Sequence, residues 1–203
     1  SGIRAKQNRH TKKNKINIAI APQFTDIQKL ASEVKIPIFS QHIDVEPGAH
    51  TGHISAFAVK EAGAVGTLIN HSERKLQVNE IESCVKLAKE HKLLTVCCSP
   101  SLDETSEIIK FNPDFIAYEP PELVGTGISV SKTKPEVITD IVDLVKKSNP
   151  NVTVLCGAGI TNGEDVRKAL ELVTKGVLIA SGVVKAKNPK GVLEDLCKSM
   201  NII

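Results

Sequence analysis

The sequence predicts an α/β protein on a parallel sheet, of the (β/α)8 barrel type, with strand 1 missing from this chain and seven strands recognisable. Three observations carry that prediction. Seven short apolar runs of four to six residues punctuate the 203 residues, most of them rich in Val, Ile or Leu. They are apolar on both faces, as parallel strands covered by helices must be. Amphipathic stretches of helical period separate them, and the strand–loop–helix unit recurs about every 25 residues without a linker.

The runs are 16–21, 36–39, 65–69, 93–98, 115–118, 152–156 and 176–180. Between them, Ile81, Cys84, Val85 and Ala88 recur at i, i+3, i+4 and i+7, with Lys and Glu on the opposite face. Val137, Ile138, Ile141, Val142 and Val145 form a second stripe, introduced by Thr133-Lys134-Pro135 as cap and early proline. Val166, Ala169, Leu170 and Val173 mark a third. A doubly wound sheet would also satisfy this alternation. The barrel is preferred because the pattern is regular and shows no second domain. An eighth strand would have to precede Ile16, where SGIRAKQNRHTKKNK offers only Ile3 and Ala5 as apolar side chains. That stretch is expected to be no core strand. The expected organisation is therefore a basic leader, 1–15, as a remnant of the first unit or a disordered segment, followed by one barrel domain, 16–203.

Composition narrows the function classes. With 41% hydrophobic residues the chain can bury one core. No run of 18 apolar residues occurs, so no membrane span is expected, nor is a signal peptide. Five cysteines, odd in number and without a CxxC pair, read as reduced, packed residues of a cytoplasmic protein. The net charge of +3 is uneven: residues 1–15 hold six basic residues and no acid. A basic arm can bind nucleic acid. A leader without function is the plainer reading, and 3% aromatic residues provide no stacking platform for bases. The start at Ser-Gly rather than Met points to processing, a tag remnant or a fragment.

Catalytic groups on such folds stand just past the carboxyl ends of the strands. Reading those positions in order gives Pro22, Gln41-His42 with Asp44, Asn70-His71-Ser72-Glu73, Ser99, Glu119, Gly157-Ala158-Gly159 and Ser181-Gly182. His71 can be a plain helix-cap residue or a catalytic one. Glu119 can be a surface carboxylate at a turn, but the Pro120-Pro121 that follows fixes the backbone and so aims the acid. Apolar surroundings raise a carboxylate's pKa, which suits a general base near neutral pH. Gly157-Ala158-Gly159 follows a strand and precedes a helix, yet its GxGxxxG spacing misses the dinucleotide fingerprint. Ser181 and Gly182 open a helix after the last run, where free backbone N–H groups can hold a phosphate. Two glycine turns in the last two units match the usual phosphate site of barrels.

"NHSE", then "YEPPELVGTG", then "CGAGI" and "ASGVVKA" together resemble the triosephosphate isomerase family, in its short archaeal branch. The resemblance runs from Ile16 to about Lys187 and implies the TIM barrel. It implies interconversion of dihydroxyacetone phosphate and glyceraldehyde 3-phosphate, a step of glycolysis and gluconeogenesis, through an enediolate. By resemblance Glu119 is the base, and His71, kept neutral, polarises the carbonyl and shuttles a proton between the oxygens. Pro120 to Gly127 is then the lid, with Pro120 as its stiff hinge and Gly125 and Gly127 as its loose one. Val124, Gly159, Ala180 and Ser181 match positions that hold the phosphorylated triose. No cofactor and no metal are implied. The family's Asn-x-Lys strand, whose Lys stabilises the enediolate, has no counterpart, so this exact chain is expected to isomerise inefficiently. Two other readings stay open: another phosphosugar enzyme on the same fold, and an inactive or fragmentary phosphate-binding barrel. Residues 41–55, QHIDVEPGAHTGHIS, correspond to the loop that docks on a neighbouring subunit, which implies a homodimer or homotetramer. His50 and His53 lack a third ligand for zinc.

Overall fold

The computed structural model describes residues 16–45 and 50–200. The expected basic leader, and with it the expected gap before the first strand, lies outside the described residues. The described residues divide into two compact units: those up to Asn70 with Lys75–Val96, and His71–Arg74 with those from Cys97 on. Five strands lie in one sheet in chain order: β1 (Phe39–Ser40), β2 (Gly66–Ile69), β3 (Leu94–Ser99), β4 (Phe115–Tyr118) and β5 (Thr153–Cys156).

In the first unit β1 pairs parallel with β2, Phe39 opposite Gly66 and Ser40 opposite Thr67. Gly66 makes room for its partner's ring, since a Cβ there would lie 2.2 Å from Phe39 Cε1. The unit holds three α-helices among the described residues, α1 (Ile27–Glu33), α2 (Ala56–Glu61) and α3 (Val78–Glu90), the last of which packs on β2. The stripe predicted for α3 is the buried one, Ile81, Cys84, Val85 and Ala88. Ile27, Ile38, Ile43 and Ile69 are buried in the same unit, and the Cys84 thiol donates to the Ile43 carbonyl at 3.3 Å.

In the second unit β4 and β5 pair parallel from Phe115–Thr153 to Tyr118–Cys156. Around them run α4 (Leu102–Ile108), α5 (Val130–Thr133), α6 (Pro135–Ser148), α7 (Gly163–Glu171), α8 (Ser181–Val184) and α9 (Pro189–Met200). Pro135 is the first residue of α6, where its missing N–H has no intrahelical partner to lose. Ile138, Ile141, Val142 and Val145 are its buried face.

Three expectations need correction. Runs 16–21 and 176–180 are not strands but single parallel bridges, Ile20 to Ile38 and Val177 to Cys156. Run 36–39 shrinks to its end, because Pro37 has no N–H to donate to a ladder and can only accept, which it does from Ile20 N–H at 3.1 Å. Val173, predicted for the apolar stripe, lies past the end of α7, half exposed and in the left-handed region at φ 66°.

Candidate active site

His71 and Glu119 belong to the same unit and meet there. Glu119 is the first residue past β4, and its backbone N–H donates to the Ser99 carbonyl at 2.8 Å. Its side chain is 4% exposed, and Oε1 lies 3.7 Å from His71 Nε2. That is too long for a hydrogen bond but close enough for both groups to reach adjacent atoms of one small molecule. His71 follows Asn70, whose left-handed backbone (φ 62°) turns the chain out of β2; Asn tolerates that conformation better than most residues. His71 Nδ1 accepts from the Glu73 N–H at 3.3 Å. A neutral imidazole that accepts at Nδ1 carries its proton on Nε2, the nitrogen that faces Glu119.

Glu119 has its seat because residue 157 is glycine. A Cβ at Gly157 would fall 2.4 Å from Glu119 Cγ and 3.1 Å from Oε1. The Gly157 N–H donates to the Tyr118 carbonyl at 2.9 Å, so this wall is tied to the strand that carries the acid. Beside it, burial pushes the Cys156 thiol up to about 12, leaving it a protonated core group rather than a nucleophile.

The segment after Glu119 is built of local turns. Pro120 is buried, while Pro121 is exposed. Leu123 N–H donates to the Pro120 carbonyl at 3.0 Å, and the half-buried Val124 donates to the Pro121 carbonyl at 3.3 Å. Gly125 and Gly127 have φ 74° and 75°, which side-chain-bearing residues rarely adopt. Lys134, hydrogen-bonded to the exposed Glu122, holds that carboxyl below its usual range and ties the segment to the start of α6.

The remaining predicted residues gather by backbone approach. Gly159 (φ 70°) packs on the exit of this segment: a Cβ there would lie 1.8 Å from the Ile128 carbonyl oxygen. Gly182 stands against the Ile160 carbonyl, 2.5 Å from where its Cβ would be. Ala180 caps α8, its carbonyl accepting from Val183 and Val184 N–H, and Ser181 is the first residue of that helix. Among the described residues no three His, Cys, Asp or Glu side chains come together as a metal site. In the first unit, His50 and His53 pack edge to face at 5.4 Å. Sequence reading overlooked two groups here, Lys132 and the buried Asp165, whose salt bridge spans 2.9 Å. Nothing in their local patterns distinguishes them from surface charges.

A family model described as "Triosephosphate isomerase" matches residues 2–200. A curated relative named triosephosphate isomerase from Methanosarcina acetivorans is 55% identical over 184 residues, 90% of this chain and 83% of that one. The similarly named protein of Methanocaldococcus jannaschii is 50% identical over 184 residues, 90% and 84% of the two chains. Among solved structures, the triosephosphate isomerase of Bartonella henselae superposes with a TM-score of 0.67 at 23% identity, covering 81% of this chain and 79% of that one. At that identity the likeness speaks for the fold, the TIM barrel.

Proposed function

The chain belongs to the triosephosphate isomerase family, and on that premise we propose that His71 and Glu119 carry the proton transfers of its aldose–ketose isomerisation. Glu119 takes a proton from the carbon beside the carbonyl of the triose phosphate. His71 donates its Nε2 proton to the carbonyl oxygen as that oxygen gains charge. The resulting enediol loses its other hydroxyl proton to His71 and regains a carbon proton from Glu119 at the neighbouring carbon. No proton is gained or lost overall, and no cofactor is needed. The observation that carries this reading is the 3.7 Å juxtaposition of His71 Nε2 and Glu119 Oε1, with Nδ1 engaged by the Glu73 N–H.

Residues 120–127 act in this reading as the lid, hinged at Pro120 and at Gly125 and Gly127. Closure excludes water from the enediolate, which in water would shed its phosphate. Val124, Gly159, Ala180 and Ser181 hold the phosphorylated substrate. Residues 16–203 serve as one barrel domain in the cytoplasm. Residues 41–55 dock on a second copy in a homodimer or homotetramer. Within this segment His42 Nε2 lies 3.0 Å from Asp44 Oδ1, and Asp44 Oδ2 accepts from Ile54 N–H at 2.6 Å. Sedimentation equilibrium reads that assembly, and a monomer at all concentrations would refute it.

The site is tested with Glu119→Gln, which keeps shape and removes the proton acceptor. Turnover is expected to fall about 10²–10⁴-fold while binding of 2-phosphoglycolate changes little. Near-normal turnover in the variant would remove Glu119 from the role of base.

A further inference from the structure

We propose that the buried hydroxyls of Ser99 and Thr105 are positioning groups for the base: they lock the turn that leaves β3 and, through the Ser99 carbonyl, hold the backbone of Glu119. This rests on the reading of Glu119 as the base. Ser99 is 1% and Thr105 0% exposed. Their hydroxyl oxygens are 2.7 Å apart. The Ser101 carbonyl lies 3.0 Å from the Ser99 hydroxyl and 2.8 Å from that of Thr105. Two hydroxyl protons serve these three contacts, so one hydroxyl donates to the other, and that one donates to the Ser101 carbonyl. The helix that follows has its cap without the pair, because the Ser101 hydroxyl accepts from the Glu104 N–H at 3.2 Å. The neighbouring Cys97, Cys98 and Ile108 are buried and apolar. Burying two hydroxyls among them costs free energy that apolar side chains would not, unless each is hydrogen-bonded.

Proline explains why the knot matters at this point in the chain. Ser99 is the last residue of β3, and Glu119 is the first beyond the neighbouring β4. The Glu119 N–H donates to the Ser99 carbonyl at 2.8 Å. Pro120 and Pro121 have no N–H, so Glu119 supplies the last backbone donor before Glu122. Strand ends open more readily than strand centres. Pro100 also lacks an N–H, so nothing in its own main chain can donate to close the turn out of β3. The two hydroxyls close it instead. What fixes the Ser99 carbonyl therefore fixes the main chain from which the catalytic carboxylate projects.

The test follows amide hydrogen exchange and deuterium entry into dihydroxyacetone phosphate, in wild type, Thr105→Val, Thr105→Ser and Glu119→Gln. Thr105→Val keeps the shape of the side chain and removes its hydroxyl. It is expected to speed exchange of the Glu119 amide at least about tenfold, leaving Ile141 in α6 unchanged. Proton abstraction should slow about tenfold, less than the roughly 10²-fold loss for a 1 Å misplacement. Affinity for 2-phosphoglycolate should stay within about threefold, since the hydroxyls hold the base and not the ligand. Thr105→Ser, which keeps the hydroxyl, should abstract protons at close to the wild-type rate. Equal acceleration of exchange at Ile141 would mark a general loss of stability and overturn the positioning role. An unchanged rate of proton abstraction in Thr105→Val, beside an impaired Glu119→Gln, would overturn this proposal alone. A wild-type chain that abstracts no proton, or an unimpaired Glu119→Gln, would overturn the reading of the base and this proposal with it. Should Thr105→Val not fold, Ser99→Ala removes the other hydroxyl and carries the same comparison.

Discussion

Gly157→Ala is expected to cripple catalysis through one methyl group. The added Cβ would stand 2.4 Å from Glu119 Cγ and 3.1 Å from both Glu119 Oε1 and the Tyr118 carbonyl oxygen. Carbon atoms rest at about 3.5–4.0 Å, so the acid must retreat by about 1 Å or more. The retreat has little room, because Glu119 is 3% exposed and its backbone is pinned to Ser99. Overpacking of this kind costs about 1–3 kcal/mol of stability. Misplacing a catalytic group by about 1 Å costs roughly 10²-fold in rate, which corresponds to about 2.7 kcal/mol of transition-state stabilisation. The assay is steady-state isomerisation beside a thermal melt, with Gly176→Ala as control. There the new methyl meets only the flexible end of Leu155, at 3.2 Å, so turnover should stay within about threefold. A Gly157→Ala protein that is folded and isomerises within about threefold of wild type would refute the idea that this glycine seats the base.

Further outcomes follow from the same geometry. Val173→Asn should stabilise the chain by up to about 1 kcal/mol, since a β-branched residue at φ 66° is strained and Asn is less so; a lower melting temperature would contradict this. In the native protein at mildly alkaline pH, Cys197, only half-buried, should react with a thiol reagent before the buried Cys156, whose thiol sits at about 12; mass mapping that finds Cys156 first would contradict the packing. Burial opposes the charge on Asp165, but Lys132 and the Thr161 donors outweigh it and hold the carboxyl below its ordinary 3.8. The stabilisation from a lowered carboxylate is complete above the unfolded pKa and is lost as pH falls through the folded one. The stability advantage of wild type over Asp165→Asn should therefore shrink as pH drops from about 6 to about 2 in denaturant titrations, and a constant difference would show that the charge contributes nothing.

Much of the fold could be read from periodicity. The stripes Ile81–Cys84–Val85–Ala88 and Ile138–Ile141–Val142–Val145 are the buried faces of their helices, because a helix has one face to hide and repeats it every turn. The outermost runs misled. An apolar run reports burial and not hydrogen bonding, and 16–21 and 176–180 are held by one bridge each. Val173 continued a helical period beyond the residues that are helical. His71 and Glu119 stood out as candidates because chemistry on this fold collects at strand ends, and the structure brings their side chains to 3.7 Å of each other. Gly157 was read as part of a glycine turn and not as a neighbour of Glu119, and Lys132 and Asp165 were not read at all. Their significance lies in what stands across from them, a side chain or backbone far away in sequence, and a single chain carries no trace of that juxtaposition in its local pattern.

The central claim is that Glu119 removes a carbon-bound proton with His71 beside it. It is tested most directly by incubating the chain with dihydroxyacetone phosphate in deuterated water and following deuterium entry at the carbon next to the carbonyl by NMR. This reads proton abstraction itself, whether or not turnover is fast. Wild type is expected to incorporate deuterium, and Glu119→Gln to do so at least about 100-fold more slowly. Equal incorporation by the two proteins would contradict the assignment of the base.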